Sequence, residues 1–254
     1  MNPFAGPAGG ILFAVLGLVA GSFATAASYR LANDQPLAVD RSRCPQCNHV
    51  LGPVDLVPVF SWLARRGKCR YCRAPISARY PAIELITTAL FVLSWHLGGA
   101  DSLRAAILAV TFLGLMVITV ADLEARIIPD KALLAMIPLA ILWRWHLGLN
   151  WIDGIAGVVL GGAVMYGVRA GFKALRGVDA LGLGDVKFIA LAGLYVGATG
   201  LAPLLVLGGL IGIAFGLAWR LSGRGTYFPF GPALCAGLGV LLAAPNTFVN
   251  LPGA

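Results

Sequence analysis

Apolar residues run along most of this chain in long unbroken stretches, without the strict alternation of a half-buried strand. Stretches of this kind predict helices that cross a bilayer, because lipid offers no partner for a backbone N–H or C=O left open. Eight spans are expected, at 7–28, 81–98, 104–121, 128–147, 152–170, 185–199, 202–219 and 230–249. The run from Phe188 to Trp219 is too long for one ordinary span and breaks at Gly197-Ala-Thr-Gly-Leu-Ala-Pro203. Lys187 stands at one end of it and Arg220 with Arg224 at the other, so the positive-inside rule makes it a hairpin with both ends in the cytoplasm. One charged segment, 30–80, interrupts the pattern. The first run has no basic residue ahead of it and continues into Tyr29-Arg30, which favours a retained span over a signal peptide. The expected fold is an all-α polytopic membrane protein of about eight transmembrane helices with a small cytoplasmic insert between helices 1 and 2. Its parts are a first helix in 1–29, the insert in 30–80 and a seven-helix membrane domain in 81–254.

Composition agrees with that pattern: 59% of the 254 residues are hydrophobic and 12% charged, too much apolar surface for a water-soluble globule. The net charge of +8 raises the possibility of nucleic acid, and the positions of the charges remove it. With both termini outside, all of the 19 Lys and Arg residues except Arg104 and Arg144 fall on the cytoplasmic side. The charge is a topology signal, and membrane lipid is the expected surrounding.

Within the insert, Cys44-Pro-Gln-Cys47 and Cys69-Arg-Tyr-Cys72 form two CxxC knuckles separated by 21 residues. Four thiolates are the tetrahedral complement of a structural zinc, and a reducing cytoplasm disfavours the competing disulfides. A segment this poor in large apolar residues needs such a clip to fold. His49 is expected at the surface or behind the ligands, and Cys235, alone in the last span, receives no role.

Each of the 11 acidic residues beside a span calls for a reason, since charge in a membrane is costly and marks function. Asp34, Asp40 and Asp55 lie in the insert, Asp101 and Asp153 in outside turns, and Asp130 and Asp179 in loops. Glu84 begins the second span, where a carboxylate suits a helix N-terminus; it is a supporting candidate. Asp122 ends the third span and Asp185 opens the sixth in Gly182-Leu-Gly184-Asp185-Val-Lys187, so both stand at the cytoplasmic level. Two carboxylates at one depth can share a proton and activate water against a peptide carbonyl. Gly182 and Gly184 are expected to admit a substrate backbone and a tight turn, with Lys187 as a further support. The bland alternative for Asp185 is a helix cap. Asp122, at a helix C-terminus, opposes the macrodipole and has no structural benefit in view, which favours function for the pair and Asp185 as the base. No serine has an evident histidine partner.

These residues resemble the bacterial type IV prepilin peptidases over nearly the whole chain. The resemblance rests on Gly17-Leu-Val-Ala-Gly-Ser-Phe23 with Tyr29-Arg30-Leu31, and on the tetracysteine insert with Asp55-Leu-Val-Pro-Val-Phe-Ser-Trp62 and Arg79-Tyr-Pro-Ala-Ile-Glu84. It continues through Asp122 to Asp130, Leu183-Gly-Asp-Val-Lys187 and Phe230-Gly-Pro232. It implies an inner-membrane enzyme that cuts the basic leader from prepilins and pseudopilins of pili or type II secretion after a glycine, on the cytoplasmic side. It places Asp122 and Asp185 as the catalytic pair and Cys44, Cys47, Cys69 and Cys72 as the metal site. It further implies methylation of the new N-terminus with S-adenosylmethionine, for which no glycine-rich fingerprint marks a site. The oligomeric state is left open.

Two rivals differ in mechanism. A presenilin-like intramembrane protease shares GxGD, but there a tyrosine precedes the other aspartate, where this chain has Ala121. In a transporter or membrane scaffold with a zinc-clipped loop the two aspartates would bind a coupling cation or merely cap helices; transporters commonly hold such carboxylates near the midplane, whereas these stand at span ends beside Glu124, Arg126 and Lys187.

Overall fold

A computed structural model describes residues 6–37, 41–177, 181–223, 225 and 227–244. The expected positions Asp40, Asp179 and Arg224, and the end of the last expected span, lie outside the described residues. The elements are helices α1 (Pro7–Ala32), α2 (Phe60–Ala64), α3 (Arg79–Gly98), α4 (Ser102–Ala125), α5 (Asp130–His146), α6 (Trp151–Arg176), α7 (Leu183–Val196), α8 (Leu201–Leu221) and α9 (Gly231–Ala243). Each expected span falls on one of them, and the chain breaks between α7 and α8 where the glycines and proline predict. Five helices, α1, α3, α4, α6 and α8, are long and apolar enough to cross a membrane; α5, α7 and α9 are shorter. The chain divides into two compact units, 1–117 and 118–254.

In the first unit α1 packs on α3 through small residues. A Cβ on Gly17 would stand 2.7 Å from the Thr88 Cα, and one on Gly21 would stand 2.6 Å from the Glu84 Cα, so the backbones approach as only glycine allows. Phe13, Phe91, Ala105 and Ala109 fill the centre, with Ala20, Trp95 and Leu113 around them. The insert is built of two knuckles, each closed by one antiparallel bridge, Arg43 with Val50 and Lys68 with Pro75. Trp62 joins its halves, donating its indole N–H to the Ile76 carbonyl at 3.0 Å.

In the second unit α7 is the hub, in contact with α5, α6, α8 and α9. Phe188, Ile189, Ala192 and Tyr195 are fully buried on it, and the Tyr195 hydroxyl donates to the Met136 carbonyl of α5 at 3.2 Å. Gly157 of α6 and Gly193 of α7 meet backbone to backbone. Arg144 is buried at the end of α5, where it donates to the carbonyls of Leu194 and Asn150 and pairs with Asp153 at 3.8 Å. The outward faces of α6 and α8 carry Ile152, Ile155, Val159, Val206, Ile213 and Leu217 in the open, the pattern of a lipid-facing surface.

Candidate active site and metal centre

Asp122 lies in the last turn of α4 and is buried, 6% exposed. Its Oδ2 accepts the backbone N–H of Gly231 at 2.8 Å. Gly231 is the first residue of α9, so this N–H is one of the donors a helix leaves unpaired at its N-terminus. The expectation that Asp122 has no structural benefit is therefore corrected. It stands at the C-terminus of its own helix and at the N-terminus of another, and the α9 dipole favours its charge. The glycine is required: a Cβ at 231 would sit 2.6 Å from Oδ2 and 3.0 Å from Cγ of Asp122.

Asp185 is the third residue of α7, and its Oδ2 reaches back to the backbone N–H of Gly182 at 3.1 Å. The capping role weighed as the bland reading is thus real, and it coexists with proximity to Asp122, whose charge acts on Asp185. Each carboxylate commits one oxygen to a helix N-terminus and is aimed by it. The macrodipole therefore gives no distinction between the two aspartates, and the reason offered for Asp185 as the base falls away.

The glycines of the motif act differently from expectation. Gly182 has ordinary extended φ and ψ of −65° and 145°, and a Cβ there would meet Asp185 Oδ2 at 2.9 Å. A Cβ on Gly184 would meet that of Ile128 at 2.9 Å. Both leave room for the site's own side chains. Lys187 does not face the aspartates through any described bond; its ammonium bridges both carboxylate oxygens of Asp130 at 2.8 Å. Asp130 is not a loop residue but the first of α5. Sequence reasoning missed the Gly231 amide, and the Phe230-Gly-Pro232 block was its only trace. Cys235 is buried in α9, as its place in an apolar span predicts.

In the first unit the sulfurs of Cys44, Cys47, Cys69 and Cys72 lie within 4.8 Å of one another, and none is in a disulfide. A tetrahedral site with Zn–S of ~2.3 Å needs sulfurs ~3.8 Å apart; those of Cys44 and Cys72 are 3.9 Å apart. The donor set thus fits a metal ion. The backbone N–H of Cys47 draws the Cys44 thiol down to about 7. Cys72 also receives a backbone N–H, from Ala74, but desolvation and the other three thiols push it up to about 11. His49 stays out of the cluster, its ring stacked on Tyr71 at 3.6 Å.

Glu84 does not support the aspartates in any described contact and does not begin its helix. It follows the first turn of α3, is 7% exposed, and accepts the Val59 N–H on Oε2 at 2.7 Å.

Comparison with known proteins adds the lineage. Residues 15–97 match the bacterial peptidase A24 N-terminal domain. Residues 109–217 match the type IV leader peptidase family. The chain is 32% identical to a prepilin leader peptidase/N-methyltransferase of Burkholderia pseudomallei, covering 94% of this chain and 86% of that one. It is 31% identical to the protein of the same name from Neisseria gonorrhoeae, over 97% and 93%. For that of Pseudomonas aeruginosa the identity is 34%, over 78% and 69%. No solved structure matches the chain. With two family domains in order and relatives matched over more than two thirds of their own length, the chain belongs to the type IV leader peptidase family.

Proposed function

We propose that this protein is a multi-pass inner-membrane prepilin leader peptidase that also methylates the N-terminus it exposes. The observation that carries the reading is the Asp122 and Asp185 pair, two carboxylates near enough for the charge of Asp122 to act on Asp185, each aimed by a helix N-terminal amide. With one proton shared between them, the ionised carboxylate takes a proton from water as the water attacks the scissile carbonyl, and the protonated one donates to that carbonyl oxygen. Collapse of the tetrahedral intermediate returns a proton to the leaving amine, and no covalent enzyme intermediate forms. Gly182 and Gly231 support the pair by leaving space for the two carboxylates, and Gly184 by admitting Ile128 beside the motif.

In this reading the basic leader waits on the cytoplasmic side with both aspartates, both termini are outside and eight helices span, which the excess of Lys and Arg on one side supports; the cut follows a glycine. The insert in 30–80 and the membrane helices in 81–254 divide the work. Cys44, Cys47, Cys69 and Cys72 hold a structural zinc, which supplies folding free energy to the insert. S-adenosylmethionine, when bound, supplies an electrophilic methyl group. Substrates are prepilins, which the names of the relatives support, or the related pseudopilins.

The test is purified enzyme with a synthetic prepilin, followed by mass. Asp122→Asn and Asp185→Asn are each expected to abolish leader loss while the protein still inserts in membranes. Full cleavage by either variant overturns the reading.

A further inference from the structure

Beneath the insert, walled by α1, α3 and the two knuckles, lies a polar cavity of about 840 Å³. Small-molecule sites run ~300–1,000 Å³, so the space suits one cofactor-sized ligand. Its lining is electrically divided. Glu84 is a carboxylate buried within a membrane helix, whereas Arg30, Lys68 and Arg79 are among several cations that line the same cavity. Nothing in the proteolytic chemistry uses Glu84, and an ionisable residue in a spanning helix marks function.

The backbone around Glu84 is held in a costly conformation. Val59, which donates its N–H to Glu84, has φ of 61°, a left-handed angle that a β-branched residue rarely adopts. Strain of this kind persists where surrounding structure enforces it, most often at ligand sites. Tyr80 and Trp62 also line the cavity and supply aromatic surface beside which a flat ring can pack. The Sγ-bearing residues Cys44 and Cys69 form part of the same wall, so a filled metal site stiffens it.

A ligand complementary to this lining is a zwitterion of cofactor size with a heteroaromatic end. We propose that the cavity binds S-adenosylmethionine, with Glu84 facing the donor's positive charge, the basic residues its carboxylate, and the aromatic residues its adenine. This rests on the methyltransferase reading and gives that activity a place in the first unit. A lipid headgroup such as phosphatidylethanolamine shares the zwitterionic character but has no ring for Tyr80 and Trp62.

Ultraviolet crosslinking of radiolabelled S-adenosylmethionine to the full-length enzyme, with peptides mapped by mass spectrometry, tests the location without any variant. Label within 22–84 is expected; label within 118–254 overturns the proposal. Glu84→Gln is expected to weaken S-adenosylmethionine binding at least about tenfold by calorimetry, with an unchanged gel-filtration profile. Binding equal to that of the unsubstituted enzyme would sink the assignment. Occlusion of the cavity by phosphatidylethanolamine vesicles but not by the donor also overturns it. Methyl gain on the cleaved pilin with label elsewhere leaves methylation standing and this site wrong; absence of both binding and methyl gain removes both.

Discussion

A buried carboxylate needs partners, and at residue scale the partners of Asp122 and Asp185 are backbone amides, not side chains. Such donors survive any substitution that keeps the backbone path, so sensitivity falls on the residues that set the path. Gly231→Ala puts a methyl group 2.6 Å from Asp122 Oδ2 and must push the carboxylate aside. A displacement of ~1 Å at a reacting group costs about a hundredfold in rate. We therefore expect kcat for leader cleavage to fall by about that factor with KM little changed, measured on purified protein of normal thermal stability. Gly231→Ala with normal kcat would mean that Asp122 is not the reacting group. The Gly182-Leu-Gly184-Asp185 motif was legible in the sequence because its capping bond spans three residues. The Gly231 amide was not, because it comes from 109 residues away.

Among the elements, α7 carries Asp185 and is held by α6 through a glycine contact that leaves no room for a side chain. Gly193→Val would drive its Cβ into the Gly157 backbone. Overpacking of this kind costs ~1–3 kcal/mol. Thermal unfolding in detergent should show a lowered midpoint, with cleavage falling too because α7 moves. In the metal knot, the proton balance sets a pH dependence. Cys44 titrates near 7, so above that pH it meets a metal already ionised. Cys72, near 11, still has a proton to lose. Metal affinity should therefore rise with pH between 6 and 8, steepest as Cys44 deprotonates and continuing above it, since protons compete with metal. A competition titration against a chromophoric chelator reads this, and an affinity independent of pH would exclude thiolate ligation.

At the scale of the whole molecule the aspartate pair and the cysteine cluster belong to separate units. Asp122, Asp185 and both amides that aim them lie in 118–254, while the four cysteines and the cavity at Glu84 lie in 1–117. Stripping the metal is expected to reduce donor binding and methyl gain while leader loss continues. Equal loss of both activities would show that the insert serves proteolysis directly. Topology has its own check: single cysteines at Arg66 and Gly148 should react with an impermeant thiol reagent from opposite sides of the membrane.

The sequence by itself determined the helical architecture, the place of the α7 and α8 break and the knuckles, and it singled out the two aspartates as candidates. These follow from hydropathy and short-range spacing, which act between near neighbours. Only the tertiary structure decided that Asp122 faces a second helix N-terminus, that Lys187 belongs to Asp130, that Arg144 is buried, and that Glu84 closes a cavity. Each of those depends on segments far apart in the chain, where charge and periodicity carry no information about which partner a buried group will meet.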